Sequence, residues 1–336
     1  MNAINAITEL TGYRPQTIDD AVLSSTEPLV LRALVTDWPI VEAGRQSPQS
    51  AADYILQFYS GDPVTAAFGP PSIKGRVGYN EDLTDFNFER ATVKVDAFLE
   101  RLLQYIDDPE PPAYYIGSTV ADRWFPGFRD ANDLVLNGIE PLASLWIGNQ
   151  IRVSAHFDVT DNIACSVVGR RTFTLFPPDQ IDNLYIGPWD MTPAGPAISL
   201  VDFHSPDFDR YPKFREALKS ACVVTLEPGD ALFVPSMWWH HVEALEGLNV
   251  LVNYWWRTTP KFMGAPDSVL RHALLGLRGL PLEQRRAWQH IFELYVFDPR
   301  EGATAHIPEH SRGILASMDD VTARQLRADL LNRLNR

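Results

Sequence analysis

Two short segments, about eighty residues apart, constrain this chain more than any other feature. The first covers residues 154–158 and places His156 two positions before Asp158. The second covers residues 227–241 and runs from Glu-Pro-Gly-Asp through an apolar stretch to Trp-Trp-His-His. Runs of Val, Ile and Phe on both sides of His156 are typical of strands. Since residues i and i+2 of a strand point to the same face, His156 and Asp158 can converge.

The second segment supplies a further possible ligand for a metal ion. Its Pro-Gly-Asp at 228–230 is a turn signal, and the apolar run 231–234 predicts a buried strand that leads towards His240 or His241. Distant strands of a small β-barrel can meet in its interior, so the separation is no obstacle. Two imidazoles and one carboxylate leave half of a metal's coordination sphere open, which suits a non-haem Fe(II) centre that activates O2.

Each segment alone also has a plainer interpretation. A His-x-Asp such as His156 and Asp158 often forms only a hydrogen-bonded pair, and His240 and His241 could be core histidines beside an aromatic cluster. The two segments in this order, with the Pro-Gly-Asp turn leading into the second, favour the metal site.

Composition and charge limit the class of protein. The chain has 336 residues, 45% of them hydrophobic, so it can bury a sizeable core. A net charge of -14 argues against general binding to nucleic acids or anionic membranes, although a local basic patch stays open. The N-terminus does not resemble a signal peptide, and no apolar run approaches the ~20 residues of a membrane span. We therefore expect a cytoplasmic protein.

Three regions follow from the pattern of short runs. The pattern predicts mixed helices and strands over residues 1–112 and short strands, separated by Pro, Gly and Asp, over residues 113–258. It predicts helices over residues 259–336. The individual helices are predicted over 50–59, 93–106, 267–278, 282–297 and 320–335.

The C-terminal helices have two possible roles. Residues 320–335 carry Val321, Leu326, Leu330 and Leu334 along one side, a stripe that could pack back on the strands or form a dimer interface. We favour a homodimer. A second open choice concerns residues 186–214, a proline-containing insertion that could border the mouth of an active site or be a packed surface loop.

Residues 114–256 resemble the JmjC/cupin-like 2-oxoglutarate-dependent oxygenases, and most of all the asparaginyl hydroxylases of that family. The matching segments are 156–158, Asn162, 175–180, 201–203, 227–230, 238–241 and 253–255. The resemblance implies a mainly β fold with added helices. Its core would be a double-stranded β-helix, the jelly roll of cupins, flanked by N-terminal helices and a C-terminal helical extension.

The same resemblance implies the ligands of the metal. They would be His156, Asp158 and His240, because the family uses the first histidine of the Trp-His-His run. His241 would point out of the barrel or form a hydrogen bond beside it. The reaction implied is oxidation of a substrate C–H bond by O2, with conversion of 2-oxoglutarate to succinate and CO2.

The cosubstrate needs a buried cation for its distal carboxylate. The family commonly uses a lysine, and the aligned residue here is Arg171, on the same strand face as Phe173 if alternation holds. An arginine can bind a carboxylate with two hydrogen bonds and stays charged when buried, but its planar fork needs more room. A solvated Arg171 is the plainer alternative, and Arg152 is a weaker rival.

Other pocket residues follow from the family pattern. Tyr115 would donate a hydrogen bond to the same carboxylate, and Asn162 and Asn253 would line the pocket. Val153 departs from the pattern, because the most similar hydroxylases have a threonine there. Core packing or a turn is the plainer role for each of these side chains.

The substrate is less constrained. The region around Ile198 lacks the glutamine that grips asparagine in asparaginyl hydroxylases, which argues against that substrate. Tyr79, Trp239 and Trp255 could line a groove for a protein side chain or a small molecule, although core packing is the commoner role of such aromatics. An acidic chain would suit a basic or neutral peptide.

Three functions remain open from the sequence. The leading one is an Fe(II)/2-oxoglutarate hydroxylase, and the second is an N-demethylase with the same chemistry. The third is a cupin-type metal-binding protein or isomerase without O2 chemistry. Arg171 separates them, because a buried cation favours the oxygenases and an exposed one favours the binding protein.

Overall fold

The strands of the chain form two sheets. The computed structural model describes residues 5–193, 195–298 and 302–335. The first 112 residues contain both strands and helices. In chain order they are β1 (Thr8–Leu10), α1 (Asp20–Leu23), β2 (Leu29–Leu31), α2 (Pro39–Gln46), α3 (Pro48–Leu56), β3 (Val64–Gly69), β4 (Arg76–Val77), β5 (Glu89–Val93) and α4 (Val95–Leu103).

The next region is mostly strand. Its elements are β6 (Ala113–Val120), α5 (Ala121–Trp124), β7 (Leu142–Gly148), β8 (Arg152–His156), β9 (Asp161–Val168), β10 (Arg171–Phe176), α6 (Phe214–Ser220), β11 (Cys222–Leu226), β12 (Ala231–Val234), β13 (Trp239–Ala244) and β14 (Asn249–Trp256). Helices follow, namely α7 (Pro266–Gly276), α8 (Leu282–Phe292) and α9 (Asp320–Leu334).

The predicted helices are present with shifted ends. Helix α3 begins earlier than predicted because the Ser47 side chain accepts a hydrogen bond from the Ser50 amide at 3.0 Å, and Pro48 suits the first helical turn. Helix α8 stops at Phe292, and the last five residues of the predicted helix, Glu293–Phe297, form a π-helical turn.

The nine-stranded sheet has the order β1-β2-β12-β9-β14-β7-β6-β3-β5, and the five-stranded sheet has the order β11-β10-β13-β8-β4. Strands β9 and β10 follow each other in the chain but lie in different sheets, and so do β12 and β13. Both sheets contribute residues to one internal cavity. This mainly β arrangement with added helices confirms the predicted double-stranded β-helix.

Helices cover the outer face of the large sheet. Ile163, Cys165 and Val167 of β9 belong to one buried cluster with Ile40 of α2 and Phe98 of α4. The side chain between them on the strand, Ala164, belongs to a second cluster on the barrel side with Phe173 and Leu251. Both faces of β9 are therefore apolar, which explains the nearly continuous hydrophobic run that the sequence shows there.

The Pro-Gly-Asp turn joins the barrel to the N-terminal strands. Gly229 has φ +109°, and a Cβ there would lie 2.9 Å from Cα of Thr36, so the position requires glycine. The carboxylate of Asp230 accepts hydrogen bonds from Arg32 Nη1 at 2.6 Å and from the Ala33 amide at 2.8 Å. The predicted turn thus also anchors β2 beside β12.

The chain divides into two units, residues 1–257 and residues 258–336. The predicted segment 1–112 shares the first unit with the barrel strands, and its status as a separate region stays a prediction. No helix within the described ranges is both long and apolar enough to cross a membrane.

Candidate active site

Two adjacent strands bring together three side chains that could hold a metal ion. His156 ends β8, His240 is the second residue of β13, and the two residues are paired in antiparallel register. Their ring centroids lie 4.3 Å apart, and Nε2 of His240 lies 3.7 Å from Oδ2 of Asp158. One donor atom from each of the three residues lies within 4.8 Å of the others. Across the described part of the chain, this is the one such group of three found.

A bulge in β8 turns two of its residues into the barrel. His240 pairs with His156 and Val242 pairs with Val153, so three steps on β8 match two on β13. Such a bulge re-aims side chains and is common beside active sites. Because of it, both Val153 and His156 reach the cavity although they are an odd number of residues apart.

Backbone carbonyls fix the orientation of both rings. Nδ1 of His156 donates to the Ser154 carbonyl at 3.0 Å, and Nδ1 of His240 donates to the Trp238 carbonyl at 3.0 Å. Each ring therefore offers an Nε2 lone pair to the space shared with Asp158. Burial, together with the neighbouring His240, lowers the pKa of His156 to about 4, so this ring is neutral near pH 7.

His241 lies on the opposite face of β13, as its position next to His240 requires. Its Nε2 bonds to Glu243 at 2.9 Å, and its ring centroid is 4.5 Å from that of Phe203. His204 bonds to the second oxygen of Glu243 at 2.7 Å. Burial raises the pKa of Glu243, but the bonds from both histidines outweigh it and hold the pKa at about 2. His241 thus belongs to a polar cluster outside the barrel.

A cavity of about 280 Å³ is lined by His156, Asp158 and His240. Five further residues predicted for the site line it, together with Pro193 and Ile198 of the insertion between β10 and β11. The five are Tyr115, Asn162, Arg171, Asn253 and Trp255. The 186–214 insertion therefore borders the cavity.

Arg171 is a buried cation, and only 6% of the residue is exposed. Its Nε has no hydrogen-bond partner among the residues that the structure describes. Burial lowers the pKa of Arg171 to about 10, so the guanidinium keeps its charge at neutral pH. A small space lined by Gly148 and Ala244 adjoins it, which gives the planar fork room that larger side chains would fill. The rival Arg152 instead pairs with Asp202 at 3.0 Å.

Tyr115 and the two asparagines complete the wall around Arg171. Burial raises the pKa of Tyr115, so its hydroxyl stays protonated and can donate a hydrogen bond. Asn253 accepts a hydrogen bond from Nε1 of Trp146 at 2.7 Å and donates one to Asn162 at 3.4 Å. The two amides are thereby held across adjacent strands β14 and β9.

Two aromatic residues that were predicted to contact substrate lie elsewhere. Trp239 is 1% exposed and packs against Phe157 with ring centroids 4.9 Å apart, so core packing accounts for it. The hydroxyl of Tyr79 donates to the Met191 carbonyl at 2.6 Å, which ties the insertion to the segment before β5. Neither side chain lines the cavity, in contrast to Trp255.

Three further residues, not predicted from the sequence, line the cavity, namely Ser154, Phe88 and Arg90. The buried Oγ of Ser154 has no hydrogen-bond partner within the described part of the chain. The alternation of Phe86, Phe88 and Arg90 was the available signal, because it places the three side chains on one face of a strand.

Comparison with known proteins adds a family match. The model of the cupin-like domain matches residues 15–262. The chain is also similar to HSPB1-associated protein 1 of Homo sapiens, with 30% identity over 309 residues, or 84% of this chain and 59% of that protein. The chain spans 51–59% of the length of this protein and its Bos taurus counterpart.

Two relatives carry the names of enzymes. The tRNA wybutosine-synthesizing protein 5 of Danio rerio is 36% identical over 202 residues, which cover 53% of this chain and 57% of that protein. The lysine-specific demethylase JMJ31 of Arabidopsis thaliana is 34% identical over 134 residues, which cover 40% of this chain and 23% of that protein.

Proposed function

The chain belongs to the cupin-like domain family, and from that membership we propose that it is an Fe(II)- and 2-oxoglutarate-dependent oxygenase. One observation carries the proposal above the others. The unpaired guanidinium of Arg171 lines the same cavity as His156, Asp158 and His240. A buried cation with no partner calls for an anionic ligand, since an uncompensated buried charge is costly. The likeness to asparaginyl hydroxylases stays a prediction.

The donor set suits Fe(II). Two imidazoles and one carboxylate are the set that non-haem Fe(II) oxygenases use, and the Nδ1 bonds of His156 and His240 leave both Nε2 atoms available. When bound, Fe(II) with 2-oxoglutarate and O2 supplies the oxidation of a substrate C–H bond, with release of succinate and CO2. The side chains orient the reactants and exclude competing reactions.

The deeper wall suits the distal carboxylate of 2-oxoglutarate. The fork of Arg171 can donate two parallel hydrogen bonds to that carboxylate, and the protonated Tyr115 hydroxyl can donate a third. Asn162 and Asn253 supply amide groups to the same wall. Val153 offers no hydroxyl, so in this chain the carboxylate depends on Arg171 and Tyr115.

Turnover without added substrate tests the proposal directly. Purified protein with Fe(II), ascorbate and O2 is expected to convert 2-oxoglutarate to succinate slowly, and faster when cell extract is supplied. Succinate is measured by mass spectrometry, with a His240→Ala variant as the inactive control. No succinate above that control, even with extract, would contradict the proposal.

An N-demethylase is the second candidate, and the match to a lysine-specific demethylase favours it. The two reactions differ in their products. Hydroxylation leaves a +16 mass shift on the substrate, whereas demethylation releases formaldehyde. A cupin-type metal-binding protein without O2 chemistry is the third candidate, and the burial of Arg171 argues against it.

A homodimer through the C-terminal helices also remains part of the proposal. Apolar side chains on α7, α8 and α9 are exposed, including Leu275 at 78%, Leu282 at 51% and Leu334 at 52%. Exposed apolar surface of this kind commonly marks an interface.

A further inference from the structure

Arg90 stands at the mouth of the cavity in a fixed position. It lies on the edge strand β5, its residue is exposed, and its side chain lines the cavity that also contains His156. Nη2 donates to the Pro193 carbonyl at 2.6 Å. Its Cζ lies 5.1 Å from the ring centroid of Phe86 and 5.6 Å from that of Phe88. These contacts hold the guanidinium in place and leave most of its donors unused.

The charges of the cavity leave Arg90 uncompensated. Arg90 forms no ion pair with any residue that the structure describes, and its protein contacts are a carbonyl and two aromatic rings. Asp158 and Arg171 contribute one negative and one positive charge to the lining of the cavity, so they cancel in its net charge although they form no ion pair among the described residues. A divalent metal and a doubly negative cosubstrate would likewise cancel. The substrate therefore meets a wall with one net positive charge.

We propose that Arg90 binds an anionic side chain of a peptide substrate, a carboxylate or a phosphate close to the residue that is oxidised. This inference rests on the proposed oxygenase function. It opposes the expectation from the net charge of the chain, which favoured a basic or neutral peptide. The charge near the cavity determines which peptide binds, rather than the net charge of the chain, because screening confines charge interactions at a surface to about 10 Å.

The surroundings of Arg90 favour a peptide over RNA. Binding of RNA requires several cations to neutralise phosphates, and Arg90 is the one exposed cation among the described residues that line the cavity. Small side chains line the cavity beside Arg90, since Thr65 and Ala67 belong to β3 and Ala67 pairs with Arg90. One exposed cation among small neutral side chains suits a single anionic side chain of a peptide better than a row of phosphates.

Matched peptide pools test the charge preference. Three fluorescent pools of short peptides would share one random background and differ only in carrying glutamate, phosphoserine or lysine. Binding to the Mn(II)- and 2-oxoglutarate-loaded protein is measured by anisotropy. We expect at least one acidic pool to bind about tenfold or more tightly than the lysine pool, the range for a charged hydrogen bond. The glutamate and phosphoserine arms distinguish the two anions.

Variants separate a charge role from a structural role. Arg90→Glu is expected to reverse the preference towards lysine, and Arg90→Lys is expected to keep it. Arg90→Gln is expected to abolish it without weakening the binding of lysine peptides. Arg123 is the matched control, because it is exposed and stacks on Trp124 at 4.2 Å but does not line the cavity. Arg123→Glu is expected to change nothing.

Equal loss of binding for all pools in every Arg90 variant would assign Arg90 a structural role and overturn the proposal. Equal binding of all pools by the unaltered protein, or a preference for an RNA oligonucleotide in the same assay, would also overturn it. Succinate formation without peptide reports on the oxygenase function separately. Its absence, with the peptide preference intact, would contradict the proposed function and not the role of Arg90 in binding.

Discussion

Arg171 and Arg170 are neighbours in the chain that lie in opposite environments. Arg171 is 6% exposed and faces the cavity, whereas the Arg170 side chain is 50% exposed and pairs with Glu246 at 2.7 Å. Arg171 is the first residue of β10, and Arg170 directly precedes it. Successive side chains along an extended chain point to opposite faces, which accounts for the two environments. The pair therefore provides a variant and its control at almost the same place in the fold.

Arg171→Glu is expected to lower the affinity for 2-oxoglutarate about a hundredfold or more, because it replaces a cation with a like charge beside the carboxylate. Metal affinity should change little, since Arg171 is not one of the three proposed metal ligands. Calorimetric titration with Mn(II) and then 2-oxoglutarate measures both. Arg171→Lys should lower the affinity for 2-oxoglutarate less than Arg171→Glu does, because lysine keeps the positive charge.

Arg170→Glu should leave both affinities as they are. Unchanged affinity for 2-oxoglutarate in folded Arg171→Glu protein would remove Arg171 from the cosubstrate site. A Tm measured for each variant identifies any that fail to fold.

The predictable part of the site is the part that strand geometry determines. His156 and Asp158 could be predicted because both belong to one short segment, and Arg171 because alternation puts it on the side of Phe173. The same alternation puts Trp239 outside, on the face of His241, so its predicted substrate role conflicted with the position of His240. Alternation also puts Arg90 on the face of Phe88, but that this face turns towards the cavity depends on how β5 packs beside β3.

At the scale of elements, the bulge in β8 and the long sheet were not visible in the sequence. A bulge depends on the register of two strands that are far apart in the chain, and no single run of residues encodes it. The strands themselves could be predicted from the sequence, because turn residues separate their apolar runs. The apolar residues of β2 do predict a strand, but the sequence does not show that β1 and β2 join the large sheet, because β2 pairs with β12 far along the chain.

The predicted homodimer depends on the apolar face of helix α9. Of its predicted stripe, Val321 is 50%, Leu330 is 38% and Leu334 is 52% exposed. If this face forms the homodimer, the double variant Leu330→Glu/Leu334→Glu should be monomeric in light scattering where the unaltered protein is dimeric. Burial of a charge in an apolar interface is the physical reason.

Asn332→Glu is the control, since a residue two positions from Leu330 lies roughly on the opposite side of a helix. It should leave the dimer intact. A dimer that survives the double leucine variant would place the interface elsewhere.

At the scale of the whole molecule, the candidate site belongs to one unit. All residues that line the cavity lie between Thr65 and Trp255, inside the unit 1–257, and the family model also ends near it, at residue 262. We expect a chain shortened to residues 1–262 to keep its affinities for Mn(II) and 2-oxoglutarate within a few fold. Calorimetry measures this, and loss of either affinity in folded, shortened protein would show that the second unit contributes to the site.

The ion pair between Arg32 and Asp230 joins residues 198 positions apart in the chain. Strand β2 can pair with β12 only after most of the first unit has left the ribosome. Until then β1 is the one strand of the described sheet that β2 can pair with, and contacts between such distant residues as Arg32 and Asp230 form slowly. His240 emerges ten residues after Asp230, so the metal-binding group and the N-terminal part of the sheet are completed at nearly the same moment of synthesis.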